Sequence, residues 1–198
     1  NYPFGGVLND GTSNFQSNLT IDATSMGGGL SLRAGQVSVA KNLNITTAGA
    51  NTHGVTLSAG KVSVAGDTIV TTTGDNAIGI RAAGANTLVE GLGSNNTITT
   101  TGAGAHGLYA NALGASVAIG ATAVTGTGPS VHLASGSVST AGQDAEGIYA
   151  LSGASDTTIT ATQSGGSINT AGVDADGLVA YANGATATGV TANATQSG

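Results

Sequence analysis

A phrase of about fourteen residues recurs down this chain and constrains its fold more than any other feature. It reads Ile or Val, any residue, Thr or Asn, a small residue, Gly, then an Asn or Asp corner, a small residue, any residue, Gly, an aliphatic, any residue, Ala. Copies start at Ile45 (ITTAGANTHGVTL), Val70 (VTTTGDNAIGIRA), Ile98 (ITTTGAGAHGLYA), Val138 (VSTAGQDAEGIYA) and Ile168 (INTAGVDADGLVA). The glycine before the aliphatic falls at Gly54, Gly79, Gly107, Gly147 and Gly177, after a degenerate forerunner at Gly29, in steps of 25, 25, 28, 40 and 30 residues. Such a period makes each repeat one structural unit that buries its apolar face only by stacking on its neighbours. The sequence predicts a solenoid, and function must be sought on its outer surface.

The repeat runs through nearly all 198 residues, so one domain is expected. With 34 glycines, disorder is the competing reading, but 39% of residues are hydrophobic and Val, Ile and Leu hold fixed places in each copy. Glycine shows no Gly-X-Y period, which excludes collagen. The absence of cysteine excludes disulfides and thiolate sites. No apolar run is long enough for a transmembrane helix, so direct membrane insertion of this segment is not expected. The net charge is −6, and Arg33, Lys41, Lys61 and Arg81 are the only Lys or Arg, a poor match for nucleic acid or an anionic membrane.

Residues 32–49 (LRAGQVSVAKNLNITTAG) align with residues 57–74 (LSAGKVSVAGDTIVTTTG) without a gap. Each copy holds three short β-branched runs bounded by Gly, Asn or Asp, and their apolar period is 2 rather than 3.6. Three strands and three turns per copy predict an all-β fold: a right-handed, three-sided parallel β-helix (β-solenoid) of about seven or eight coils, a rod roughly 35 to 40 Å long. Val37, Val39, Ile45, Val55, Leu57, Val64, Ile80, Leu108, Ile148, Ile168 and Leu178 are expected to point inward. Ala82, Ala110, Ala150 and Ala180 supply a small-residue layer beside them. Asn51, Asn76, Asp144 and Asp174 form one turn column suited to hydrogen-bonding a tight corner, and the repeated glycines are expected at positive φ.

Residues 1–18 carry no repeat and read as an N-terminal cap or lead-in; residues 19–198 are the β-helix. Residues 124–136 (VTGTGPSVHLASG) look like a shortened copy, either an extra partial coil or a protruding loop. The chain ends in ATQSG, which repeats residues 161–165, just where another strand is due. That ending predicts a piece of a longer solenoid, frayed or prone to end-to-end contact over residues 185–198.

The copies at Ile98, Val138 and Ile168, the missing cysteines and the Gly/Thr/Ser/Asn composition together resemble the β-helical passenger domains of Gram-negative autotransporters (type V secretion), over roughly residues 19–198. The resemblance implies a rod on the bacterial surface or secreted, exported across the outer membrane through a C-terminal barrel outside this sequence. Passengers of that family include adhesins, self-associating proteins, toxins and enzymes, so the resemblance speaks to location more than to action.

The candidate chemistry follows from residue types. Polysaccharide cleavage, the alternative function, needs carboxylates converging on a groove, whereas the ten acidic residues are dispersed. No catalysis and no cofactor are expected. Asp144, Glu146, Asp174 and Asp176 are a weak calcium candidate, without the nonapeptide that stacked calcium turns use. His53 and His106 share one repeat position, are too far apart to share a metal, and read as surface residues. Thr46–Thr47, Thr71–Thr73 and Thr99–Thr101 read as a solvated strand face, interrupted at Ser139 and Asn169, rather than a regular ice-binding array. The favoured site is an outward stripe of Tyr109, Tyr149 and Tyr181 with Arg81 and Arg33, because exposed Tyr and Arg give large contact area with few rotors. The expected function is an adhesin or self-association module binding a host-cell protein, a glycan or another copy. A polysaccharide-acting enzyme is second, and a secreted toxin or receptor-binding effector third.

Overall fold

The computed structural model describes residues 7–8, 11–25, 27–123, 126–183 and 191–197, with backbone alone at 7–8 and 191–194. The described residues form three parallel sheets, the three faces of a β-solenoid. In chain order of numbering, sheet 1 holds β1 (Val7–Leu8), β4 (Leu30–Leu32), β7 (Val55–Leu57), β10 (Ile80–Ala82), β13 (Leu108–Ala110), β17 (Ile148–Ser152) and β20 (Leu178–Ala182). Sheet 2 holds β2 (Thr12–Phe15), β5 (Gln36–Val39), β8 (Lys61–Val64), β11 (Leu88–Gly91), β14 (Ser116–Ile119), β15 (Ser130–Leu133), β18 (Thr158–Gln163) and β21 (Thr191–Gln196). Sheet 3 holds β3 (Leu19–Ala23), β6 (Leu43–Thr47), β9 (Thr68–Thr72), β12 (Thr97–Thr100), β16 (Ser137–Thr140) and β19 (Ser167–Thr170). The path makes about six turns, fewer than the seven or eight that dividing length by the shortest repeat suggests. Within residues 1–18, β1 pairs with β4 and β2 with β5, so these strands already belong to the first coil. Residues 184–190 and 198, part of the stretch expected to fray, lie outside the described residues.

The missing turn is explained by residues 120–137. After β14 the chain does not pass on to sheet 3; it crosses back and lays β15 beside β14 in sheet 2, pairing Val117 with Val131 and Ile119 with Leu133. The shortened copy is therefore an extra strand in one sheet only. Its crossover is held by Glu90, an outward residue of β11 that is nevertheless buried. One Glu90 oxygen accepts the Ala123 N–H at 3.3 Å, and the other lies 2.9 Å from Lys61 Nζ and 3.1 Å from Ser63 Oγ. Ser116 and Ala118, also outward, are buried too.

The core is a column of stacked aliphatics. Val37, Val39, Ile45, Val55, Leu57, Val64, Ile80, Leu108 and Ile148 are buried as alternation demands. Ile168 and Leu178 are only partly buried, because they sit in the last described rungs and pack against the core from one side. The threonines divide between two environments. Thr46, Thr71 and Thr99 face outward, but Thr47, Thr72, Thr100 and Thr140 point inward and are buried. Each of these four donates its Oγ1 hydrogen to a carbonyl five residues on: Thr47 to Thr52 at 2.7 Å, Thr72 to Ala77 and Thr140 to Ala145 at 2.5 Å, and Thr100 to Ala105. The second threonine of the phrase is a clamp on the corner that follows, not a solvated strand residue.

That corner leads from sheet 3 into sheet 1. Asn51, Asn76, Asp144 and Asp174 adopt left-handed backbone there, with φ of 59°, 54°, 51° and 56°, and Gly104 takes the same place at 61°. Asn and Asp tolerate this conformation best among non-glycine residues. The repeated glycines have a different reason from the one expected. Gly54, Gly79, Gly107 and Gly147 do not occupy the left-handed region; a Cβ on Gly107 would lie 2.7 Å from the Gly147 carbonyl oxygen and overlap Val138 Cγ1. Glycine is required because the next rung's backbone and β-branched core residue approach too closely for any side chain.

Candidate functional site

Strand pairing aligns Ser31, Thr56, Arg81, Tyr109, Tyr149 and Val179 in one outward column of sheet 1. The stripe forms, but its members are not equivalent. Tyr109 is 8% exposed, because its ring is stacked on His106 with centroids 5.6 Å apart and planes 17° from parallel. Tyr149 packs edge-on against both, 5.0 Å from the His106 ring and 5.5 Å from that of Tyr109. Such edge and offset geometries are the favoured ones for aromatic pairs. Tyr149 is half-buried and Tyr181 is 49% exposed, pairing with Leu151 in the next outward column. Arg33 is exposed but lies several rungs away and outside the cluster. Tyr109 is therefore a buried support rather than an exposed contact; the accessible part of the stripe is Arg81, Tyr149 and Tyr181.

Sequence reading missed the histidines. His53 and His106 are half-buried corner residues, each using Nδ1 to accept a backbone N–H from the next coil: Ile78 at 3.0 Å and Glu146 at 3.2 Å. The repeat alignment carried the signal, since each stands three positions before the outward column, at the repeat position of the residue whose backbone N–H it accepts in the next coil. An imidazole that accepts at Nδ1 keeps its proton on Nε2 as a donor. His106 Nδ1 also contacts a Glu146 carboxylate oxygen, so that nitrogen either accepts the backbone N–H or, when protonated, donates to the carboxylate.

Burial, and secondarily the charge of Arg81, lower the His53 pKa from 6.5 to about 4. The folded value lies below the unfolded one, so the unfolded chain binds more protons between the two. Stability should be full above about pH 6.5 and fall as the pH drops toward 4. For a half-buried group, solvent screening reduces the effect to roughly 1–2 kcal/mol. Urea midpoints measured at about pH 7 and about pH 4.5 should differ less in His53→Gln than in the parent; an equal loss in both would refute the assignment. Burial is also the main cause raising the Tyr109 and Tyr149 hydroxyls, against the pull of Arg81 at Tyr109 and helped by Glu146 at Tyr149. Both stay protonated donors at neutral pH.

Together these residues line an open groove of about 350 Å³ on the corner between sheets 3 and 1, bounded by Asn51, His53, Asn76, Ile78, Arg81, Gly104, His106 and Tyr109. It spans three coils. Asp144 and Asp174 are exposed corner residues, Asp176 is exposed, and Glu146 faces His106. Among the described residues no three acidic or histidine side chains converge to hold a metal ion. On sheet 2, His132 Nε2 lies 2.6 Å from Ser164 Oγ beside a second groove of about 380 Å³ lined by Thr158, Thr160 and Thr162. No protein-family model, curated protein or solved structure matches the chain.

Proposed function

We propose that this chain is the binding rod of a type V secretion passenger, carried outside a Gram-negative cell as an adhesin or self-association module. The observation that supports this reading is the lateral groove on sheet 1. There a preorganised aromatic cluster, an Arg and two His side chains are set on a rigid stack of strands, the arrangement that contact surfaces use. Its partner is a host-cell surface protein, a glycan or another copy of the chain.

Beads coated with the purified chain should adhere to host cells or clump, while uncoated beads do neither. Absence of both would contradict the proposal. Replacing Tyr149 and Tyr181 together with Ser should reduce adherence severalfold while costing about 1–2 kcal/mol of stability, since Tyr181 is exposed and Tyr149 is partly buried against His106 and Tyr109. Tyr109 must be spared, because truncating a buried aromatic costs about 3–5 kcal/mol. With a net charge of −6, clumping between copies should strengthen with salt until screening saturates.

A further inference from the structure

We propose that the sheet 1 groove binds an acidic sugar, a pyranose residue carrying a carboxylate. This deepens the adhesive reading and rests on it. The chain has ten acidic residues against four Lys and Arg, yet none of the groove's lining residues is acidic. Arg81 has no carboxylate partner among the described residues, whose ion pairs are Lys61–Glu90 and His106–Glu146. It lines the same groove as His53 and Tyr109, near enough for its charge to act on both. His53 uses Nδ1 internally and so offers an Nε2–H donor. A half-buried, unpaired Arg beside neutral donors is suited to a carboxylate, which it can bind through two parallel hydrogen bonds.

The remaining surface suits a sugar ring rather than a peptide. The lining is mainly polar: the exposed Asn51 and Asn76 bring amides that can pair with hydroxyls, over a floor to which the nearly buried Ile78 and Tyr109 contribute only their edges. A volume of about 350 Å³ falls in the range of small-ligand sites. An extended acidic peptide would bind by adding a strand, but β7, β10 and β13 are already paired on both sides.

The test is calorimetric titration of the whole chain with trigalacturonic acid and with sialyllactose, each beside its carboxyl-reduced form, and with a polyglutamate peptide. At least one acidic sugar should bind, and which one distinguishes a uronate from a sialate source. Its carboxyl-reduced form, and the variant Arg81→Gln, should bind at least about tenfold more weakly, with Arg81→Lys between and Arg33→Gln unchanged. A parent-like far-UV spectrum for Arg81→Gln ties that loss to the groove rather than to folding. Binding of neither acid, equal binding of the reduced sugar, an unaffected Arg81→Gln, or binding of polyglutamate alone would each overturn the proposal. The two readings fail separately. Adherence by a chain that binds neither acidic sugar in the titration removes the sugar site and leaves the adhesin, whereas carboxylate-dependent titration by a chain whose beads do not adhere removes the adhesin and leaves the site.

Discussion

Ile148→Asp is expected to unfold the coils around β17. Ile148 is wholly buried, and its strand is paired with β13 below and β20 above, so the carboxylate would enter a core without a partner. An unpaired charge in such a place costs several kcal/mol, a large part of the stability of an ordinary domain. Because a solenoid's repeats are held chiefly by their neighbours, the damage should spread from this rung to those stacked on it. Far-UV circular dichroism with urea titration should show a lower midpoint and a weaker strand signal. A parent-like midpoint would contradict the inward placement of the aliphatic in the repeated phrase.

The second large effect is expected at Gly142, where the chain turns after β16. A Cβ there would overlap the carbonyl of Gly102 in the coil below, and the same stacking recurs from Gly102 onto Gly74 and from Gly172 onto Gly142. The obstacle is backbone, so no rotamer change relieves it. Gly142→Ala should cost about 3 kcal/mol or more, at or beyond the upper end of ordinary overpacking. Gly126→Ala is the control: its nearest neighbour is the Gly128 carbonyl oxygen at 3.9 Å, and the change should stay within about 0.5 kcal/mol. Equal effects at the two positions would mean that the coils do not stack at the described spacing.

The architecture was legible because its cause is local. Period-2 aliphatics, β-branched strands and Asn or Asp corners each act within a few residues, and the repeat then dictates how units stack. Val39, Ile45 and Leu108 are buried as read, and Asn51, Asn76, Asp144 and Asp174 occupy the corner. What escaped the reading depends on contacts between coils. Gly107 needs no left-handed backbone; it yields to Val138 and Gly147, forty residues further on at most, and only the stacked rungs reveal that. Thr47 and Thr72 are the exception: each clamps a carbonyl five residues on in its own coil, and its place two residues after inward Ile45 or Val70 was a local signal passed over. Glu90 holds a crossover whose path skips two sheets, so nothing adjacent in sequence announces its role. At the site, alternation gave the outward column of Arg81, Tyr109 and Tyr149, but not the His106 ring that covers Tyr109 and turns an exposed anchor into a buried support.

The central claim, that sheet 1 and its corner form the adhesive face, is tested most directly by one adherence measurement on three variants, each altering a single face. Arg81→Gln with Tyr149→Ser changes sheet 1, Thr160→Ala with Thr162→Ala changes sheet 2, and Thr71→Ala with Thr99→Ala changes sheet 3. With all three folded as the parent by circular dichroism, the sheet 1 variant should lose most of its adherence to host cells or to other coated beads, and the other two should keep theirs. Loss confined to the sheet 2 or sheet 3 variant, with the sheet 1 variant adhering like the parent, would contradict the account.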